Sequence, residues 1–197
     1  NNMTLSPTMA SGAESLKGRM LIAMPGMDDP RFAKSVVFMC DHSDDGAMGL
    51  IVNKPNPEID LSALLKQLDI KAQADLAART VYFGGPVEMG RGFVLHSPDY
   101  VSPVTTLDVC PDVHMTGTLD VLEDIGRGFG PQRWELMLGY AGWGAGQLEG
   151  EIADNGWLVC EATAELIFDV PDEGKWQAAL ESIGVAALVL SAEGGRA

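Results

Sequence analysis

The stretch that organises this chain is Gly139-Tyr140-Ala141-Gly142-Trp143-Gly144-Ala145-Gly146-Gln147-Leu148-Glu149-Gly150-Glu151-Ile152. An apolar run before it, Trp134 to Leu138, predicts a strand, and the segment Gln147 to Asn155 predicts a short helix. Glycine permits positive φ angles and close approach between backbones. We therefore predict a tight strand-to-helix corner, with Trp143 packed beneath the helix.

The same glycines do not form a dinucleotide-binding loop. That loop requires the spacing G-x-G-x-x-G, and the last spacing in Gly142-Trp143-Gly144-Ala145-Gly146 is too short. Trp143 would fill the space of a pyrophosphate, and Glu149 and Glu151 stand where a helix would bind an anion. We expect no cofactor at this corner.

The segments on either side predict interspersed strands and helices. Two β-rich runs, Ser35 to His42 and Gly49 to Asn53, are apolar on both faces and flank an Asp-Gly turn, which predicts a hairpin inside a sheet. Helices are predicted after Asp60, Thr118 and Asp172. Further strands are predicted at 19–24, 80–83, 92–96, 104–109, 113–115, 157–160, 164–170 and 185–190.

Without regular βαβ spacing, this order predicts an α+β fold. We expect a mixed, largely antiparallel sheet that can curl into a barrel, with flanking helices. Residues 1–15 lack periodicity and predict a flexible N-terminal arm. No Pro/Ser-rich linker follows, so residues 16–192 are expected to form a single domain.

Charge and cysteine content restrict the classes of partner. The chain has 28 acidic and 13 basic residues, for a formal net charge of -15. An acidic surface repels phosphates, so direct nucleic-acid binding and anionic membranes are disfavoured. Three widely spaced cysteines without a C-x-x-C motif indicate reduced thiols in a cytoplasmic protein, and Cys110 is the best candidate for an exposed thiol.

Polar residues at predicted strand ends are the candidates for a site. His42-Ser43-Asp44-Asp45 and His96-Ser97-Pro98-Asp99 share the pattern His-Ser-x-Asp, which fits either ligand binding or simple turn capping. Cys40 and His42 alone do not make a zinc motif, and we expect no metal. The candidate ligand-binding residues are His42, Asn53, Gly84, Gly85, His96, Trp143 and Gln147.

Five separated stretches, in order, match the motifs of one known family: Leu16-Lys17-Gly18 with Leu21–Pro25, His42 with Gly46–Asn53, Gly84–Val87, Arg91–His96, and Gly139–Glu151. They resemble the YqgE/AlgH family of small bacterial proteins, from about residue 16 to about residue 192. The resemblance implies a bacterial cytosolic protein of compact α+β fold. It also implies a name linked to transcriptional regulation of alginate production in some members, and it carries over no catalytic residue.

Three functions fit these observations. The first is a non-enzymatic binding or regulatory module that acts through a protein partner or a small ligand. The second is an enzyme that uses His42, His96 or both. The third is a transcriptional regulator that binds nucleic acid, which the absence of a helix-turn-helix pattern and the acidic composition disfavour. Convergence of His42, Asn53, His96 and Gln147 on one concavity would indicate a shared site.

Overall fold

A computed structural model of the chain describes residues 15–185. Nine strands lie in this part of the chain: β1 Arg19–Ala23, β2 Val36–Ser43, β3 Gly46–Ile51, β4 Val81–Phe83, β5 Val87–His96, β6 Leu107–Cys110, β7 Val113–Thr116, β8 Trp134–Gly144 and β9 Trp157–Glu161. The helices are α1 Leu61–Gln67, α2 Leu119–Arg127, α3 Gln147–Ala153 and α4 Asp172–Ser182, with a 3-10 helix at Ala74–Ala78 and a π-helical turn at Glu165–Asp169.

The strands form one curled sheet in the order β6-β7-β5-β8-β3-β2-β1-β9, and β4 pairs with β8 outside this path. All neighbours in the path are antiparallel, whereas β4 is parallel to β8. The predicted α+β fold with a largely antiparallel sheet is therefore confirmed. The predicted hairpin is β2 and β3, which lie inside the sheet.

The glycine-rich stretch is mainly strand, so the prediction that a corner begins after Leu138 is wrong. β8 runs through it to Gly144, and the turn into α3 is confined to Ala145 and Gly146. Backbone hydrogen bonding overrides the low strand propensity of glycine here, because β3 pairs with residues 141–144. Gly139, at φ 79°, marks the irregular point within this long strand.

Gly84 and Gly85 lie against the backbone of β8 at this point. A Cβ atom on Gly84 would lie 2.3 Å from the carbonyl oxygen of Gly139. The Gly84 backbone N–H donates to Leu138, and its carbonyl oxygen accepts from Ile51. Gly84 therefore connects β8 to the end of β3 where the neighbour of β8 changes from β4 to β3.

Side chains on both faces of the sheet centre are buried, because helices cover each face. The first core cluster includes Met20, Ile22 and Phe38, and α4 packs against it with Trp176 and Leu180. The opposite face, beneath α3, contains Leu21, Val37, Met39, Trp143, Leu148 and Trp157. A third cluster packs α1 and α2 against the first half of β8.

The prediction of a strand at residues 164–170 is wrong. This segment contains the π-helical turn Glu165–Asp169. Thr163 Oγ1 accepts a hydrogen bond from the backbone N–H of Leu166, which stabilises the start of the turn. The carbonyl oxygen of Ile167 then accepts from the buried ammonium group of Lys175. A short apolar run has no periodicity that separates strand from helix, and these local bonds decide between them.

The helix predictions are confirmed in position. Asp60 caps α1 by accepting from the backbone N–H of Ser62, and Trp176 and Leu180 of α4 are buried. Leu119, the first residue of α2, is 46% exposed, whereas Leu122 and Ile125 of the same helix are buried. Most of the predicted arm (residues 1–14) and of the predicted strand at 185–190 lies outside the described residues, and the domain limits 16–192 stay a prediction.

We predict that Gly85→Ala strongly destabilises the fold. The new Cβ atom would lie 2.1 Å from the Tyr140 carbonyl carbon, and Gly85 has φ 154°. Because the Cβ atom would meet backbone atoms, the clash can be relieved only if the strands separate. We expect the free energy of unfolding, measured in urea, to fall by about 3 kcal/mol or more. Gly90→Ala is the matched control, since its Cβ atom would meet nothing within 4 Å. Equal stabilities of the two variants would contradict the prediction.

Candidate functional site

The candidate site is a cleft of about 370 Å³ between α3, the end of β8 and the loop after β1. Trp143 and Trp157 line it together with Phe32, and adjacent rings of this aromatic cluster meet edge to face. The centroid distances are 5.9 Å for Phe32 and Trp157 and 6.1 Å for the two tryptophans. The remaining lining residues are Met27, Asp29, Arg31, Pro86, Val87, Gly142, Gln147, Glu151, Asp154 and Gly156.

The Glu151 carboxylate is the centre of polar contacts in the cleft. Its Oε1 atom accepts the indole N–H groups of both Trp143 and Trp157, each at 2.9 Å. Its Oε2 atom accepts from Gln147 Nε2 at 3.0 Å. Three N–H donors thus converge on one carboxylate, which fixes both indole rings relative to α3.

Gln147 joins this centre to the turn before the helix. Its Oε1 atom accepts from the backbone N–H of Gly144 at 3.0 Å, while its amide group donates to Glu151. The side chain is exposed at the cleft. The predicted site residues Trp143 and Gln147 are therefore adjacent, and the interpretation that Trp143 packs beneath the helix is confirmed.

An ion pair lies at the opposite wall of the cleft. Arg31 donates through Nε and Nη2 to the Asp29 carboxylate, which lowers the pKa of Asp29. The Arg31 guanidinium carbon also lies 5.9 Å from the Phe32 ring centroid, within cation–π range. Asp154, at the end of α3, is exposed and has no side-chain hydrogen bond to any other residue among 15–185.

His42, in β2, contacts the first turn of α3 and is not part of the cleft lining. Its Nδ1 atom accepts from the backbone N–H of Leu16 at 2.8 Å, so we assign the ring proton to Nε2, which donates to Glu149 at 2.8 Å. The backbone N–H of Glu149 itself and this His42 contact lower the pKa of the carboxyl group. His42 thus fastens the first turn of α3 to β2.

Asn53, Gly84 and Gly85 also lie outside the cleft lining. Asn53 accepts from the Val36 backbone N–H and donates to the carbonyl oxygen of Lys34, which has a positive φ angle. Both ends of this amide therefore stabilise the chain before β2. Gly84 and Gly85 provide the close approach to β8, so the structure gives these three residues architectural contacts.

His96 does not converge with His42. His96 pairs with Trp134 at one end of β8, whereas Ala47, the partner of His42, pairs with Trp143 near the other end. At about 3.3 Å per residue, these two positions are roughly 30 Å apart along the strand. The hypothesis that both imidazoles share one site is therefore wrong, because β2 and β5 run in opposite directions and end at opposite edges of the sheet.

The contacts of His96 are all internal. The ring is fully buried, Nδ1 donates to the Ser97 carbonyl oxygen, and Nε2 accepts from Thr116 Oγ1, both at 2.8 Å. Burial lowers the pKa of His96, and the nearby His114 adds to this effect. Ser97 donates to Asp99, and the two side chains accept from the backbone N–H groups at 132–133, so this motif joins the end of β5 to the segment before β8.

The cysteines and acidic residues show no metal-binding arrangement. Within residues 15–185, no group of three or more His, Cys, Asp or Glu side chains has the geometry to hold a metal ion. Cys40 and Cys160 are buried and unpaired with another cysteine. Cys110 is partly exposed and is therefore the most accessible of the three thiols, as predicted, although partial burial raises its pKa.

Sequence reasoning missed the residues that complete the cleft. Phe32, Arg31, Glu151 and Trp157 come from three separated segments, and no motif joins them. One signal was available: Gln147 and Glu151 are four residues apart, which places them on the same face of a helix. The convergence of two indole groups on Glu151 arises from the pairing of β9 with β1 and could not be read from spacing.

Comparisons with known proteins agree with this architecture. The family model described as AlgH-like matches residues 20–188. The chain belongs to this AlgH-like family. It is 58% identical to a UPF0301 protein of Ruegeria pomeroyi, over 92% of this chain and 99% of that protein. A UPF0301 protein of Paraburkholderia phymatum is 47% identical, over 93% and 96% of the two chains.

Solved structures of relatives have the same fold. The solution structure of the AlgH protein of Pseudomonas aeruginosa is 42% identical, with a TM-score of 0.77 over 91% of this AlgH-like chain and 94% of that chain. A Corynebacterium diphtheriae protein, 20% identical with a TM-score of 0.70 over 88% and 90%, shares the fold. The described helices of the present chain are all too short or too polar to cross a membrane.

We predict that Glu151→Ala destabilises the protein by about 2–3 kcal/mol. The substitution leaves the indole N–H groups of Trp143 and Trp157, which are 7% and 3% exposed, without their acceptor. Urea unfolding and near-ultraviolet circular dichroism measure the loss of stability and of indole order. Glu149→Ala, on the same helix, removes one bond to His42 and is expected to cost less. Equal losses would contradict the role given to Glu151.

We predict that His96 makes stability fall as the pH falls from about 7 to 5.5. The pKa of His96 is lowered in the folded state. As the pH falls, the unfolded state therefore binds a proton before the folded state does, at the ordinary histidine pKa of about 6.5. Stability is therefore full above the unfolded pKa and decreases below it, by at most about 1.4 kcal/mol per pH unit. In the variant His96→Gln, the free energy of unfolding measured in urea should fall less steeply with pH between about 7 and 5.5. An unchanged slope would mean that other groups cause the loss.

Proposed function

We propose that this chain is a non-enzymatic binding module, and that a small ligand or a side chain of a protein partner enters the cleft beside α3. One observation carries the proposal: the cleft has an aromatic lining and polar groups that are already fixed by hydrogen bonds. Such preformed, mainly apolar concavities with few oriented polar groups are typical of ligand sites.

The rigidity of the lining supports this function. Glu151 holds Trp143 and Trp157, and Glu149 fastens the same helix to His42. A ligand would therefore meet a surface that loses little conformational freedom on binding. His42 contributes through α3 and not by contact, so the proposal gives it a positioning role.

The acidic composition also bears on the partner. A net charge of -15 disfavours direct binding of nucleic acid, so a regulatory role would act through a protein or a small ligand. The three cysteines are free thiols, which supports the proposal of a cytoplasmic protein.

A fragment screen by NMR tests the binding function. Compounds that enter the cleft should shift the indole N–H signals of Trp143 and Trp157 and leave that of Trp134 unchanged. Gly142→Val adds a side chain at a position that lines the cleft, and its Cβ atom would have only ordinary contacts with Tyr140 and Val87, at 3.4 Å or more. We expect this variant to weaken binding at least about tenfold.

Gly90→Val is the control for the added side chain, since position 90 lies outside the cleft lining and its Cβ atom would meet nothing within 4 Å. It should bind the same compounds as the unmodified chain. The proposal fails if no compound shifts the two cleft indole signals, or if the compounds that do so bind Gly142→Val with unchanged affinity.

A further inference from the structure

We infer that the group received by the cleft is an organic cation, a guanidinium or ammonium group on an apolar stem. The inference rests on the proposed binding function and adds the charge and the shape of the ligand. Three separate features of the cleft carry it: the arrangement of its aromatic rings, its balance of charge, and the use already made of its hydrogen-bond donors.

The aromatic rings form walls rather than a stack. Trp157 meets Phe32 at an interplanar angle of 82° and Trp143 at 77°, so neighbouring rings stand nearly perpendicular. Aromatic cages bind cations against ring faces, and Phe32 is the more exposed ring of this wall, because Trp143 and Trp157 are 7% and 3% exposed. Arg31 already lies in cation–π range of Phe32, so a guanidinium group is compatible with this wall.

The charge of the lining is negative. Asp29, Glu151 and Asp154 contribute three carboxylates, and Arg31 contributes one cation, which leaves a formal charge of -2 on the lining residues. The chain as a whole carries -15, so its long-range field also attracts cations. The charge of the lining and the charge of the whole chain would both repel an anionic ligand.

Most side-chain donors of the cleft are already engaged. Both indole N–H groups and the Gln147 amide donate to Glu151, and Arg31 uses its Nε and Nη2 edge for Asp29. Acceptors are in excess by contrast, because Asp154 makes no side-chain hydrogen bond with the rest of residues 15–185. A ligand that supplies N–H donors therefore complements this cleft better than one that supplies acceptors.

The test uses defined probes in isothermal titration of the full chain. Nα-acetyl-arginine amide is the cationic probe, and Nα-acetyl-citrulline amide is its neutral counterpart of nearly the same shape. We expect the arginine probe to bind at least about tenfold more tightly, and added salt to weaken its binding. n-Propylguanidine, which has the same single charge, distinguishes the sources of the cation: tighter binding of n-propylguanidine favours a free small cation, and tighter binding of the arginine probe favours a partner's side chain.

Two cleft variants should change the affinity in opposite directions. Asp154→Asn removes an exposed carboxylate and should weaken binding of the arginine probe roughly three- to fivefold. Arg31→Gln removes the cation of the lining and should tighten it by a similar factor. Glu123→Gln is the control, because it makes the same charge change as Asp154→Asn at an exposed position of α2 outside the cleft lining. It should leave the affinity unchanged.

The results separate this inference from the proposed function. Equal affinity for the arginine and citrulline probes, or weaker binding of the arginine probe by Arg31→Gln, would overturn the inference. If neither probe binds while neutral or acidic fragments shift the cleft indole signals, the cation inference fails and the binding function stands. If nothing binds in the cleft, both fail.

Discussion

The backbone contact of Gly84 and Gly85 with β8 is the constraint on which the sheet depends. At this contact β8 changes partners, from β4 along residues 136–138 to β3 along residues 141–144. Gly84 serves both arrangements, because it donates to Leu138 and accepts from Ile51. A side chain at either glycine would separate these strands, and the second half of β8 would lose its position against β3.

The position of Trp143 follows from that constraint, and the candidate site follows from Trp143. β8 brings this indole ring to the face beneath α3, and the pairing of β9 with β1 brings Trp157 to the same face. One carboxylate then binds both rings. A buried polar network of this kind is stable only when its members are satisfied, and here each indole N–H has an acceptor.

A second charged network supports the opposite face. The Lys175 ammonium group, 2% exposed, donates to the carbonyl oxygens of Val52 and Ile167 and to Asp172. Tyr82 donates to the same carboxylate. These bonds join α4, β4 and the π-helical turn, so the face of the sheet opposite α3 is held by a network that has no part in the cleft.

The sequence by itself determined the class of most elements and the sign of the charge, and its prediction was wrong for residues 164–170. The apolar runs at 35–42 and 49–53, the Asp-Gly turn between them and the Asp60 cap are local signals, and each predicted its element correctly. Composition alone gave the net charge of -15 that limits the partners. The five separated motifs, in their order, also indicated the family to which the chain belongs.

Only the tertiary structure decided how far β8 extends and which residues meet beside it. Glycine has a low intrinsic preference for strands, so residues 139–144 become strand only because β3 supplies hydrogen-bond partners from a distant part of the chain. That extension places Trp143 next to Glu151, and the opposite directions of β2 and β5 separate His42 from His96. The cleft combines Phe32, Trp143 and Trp157, whose proximity depends on strand pairing, and a pairing between distant segments leaves no periodic signal in the sequence.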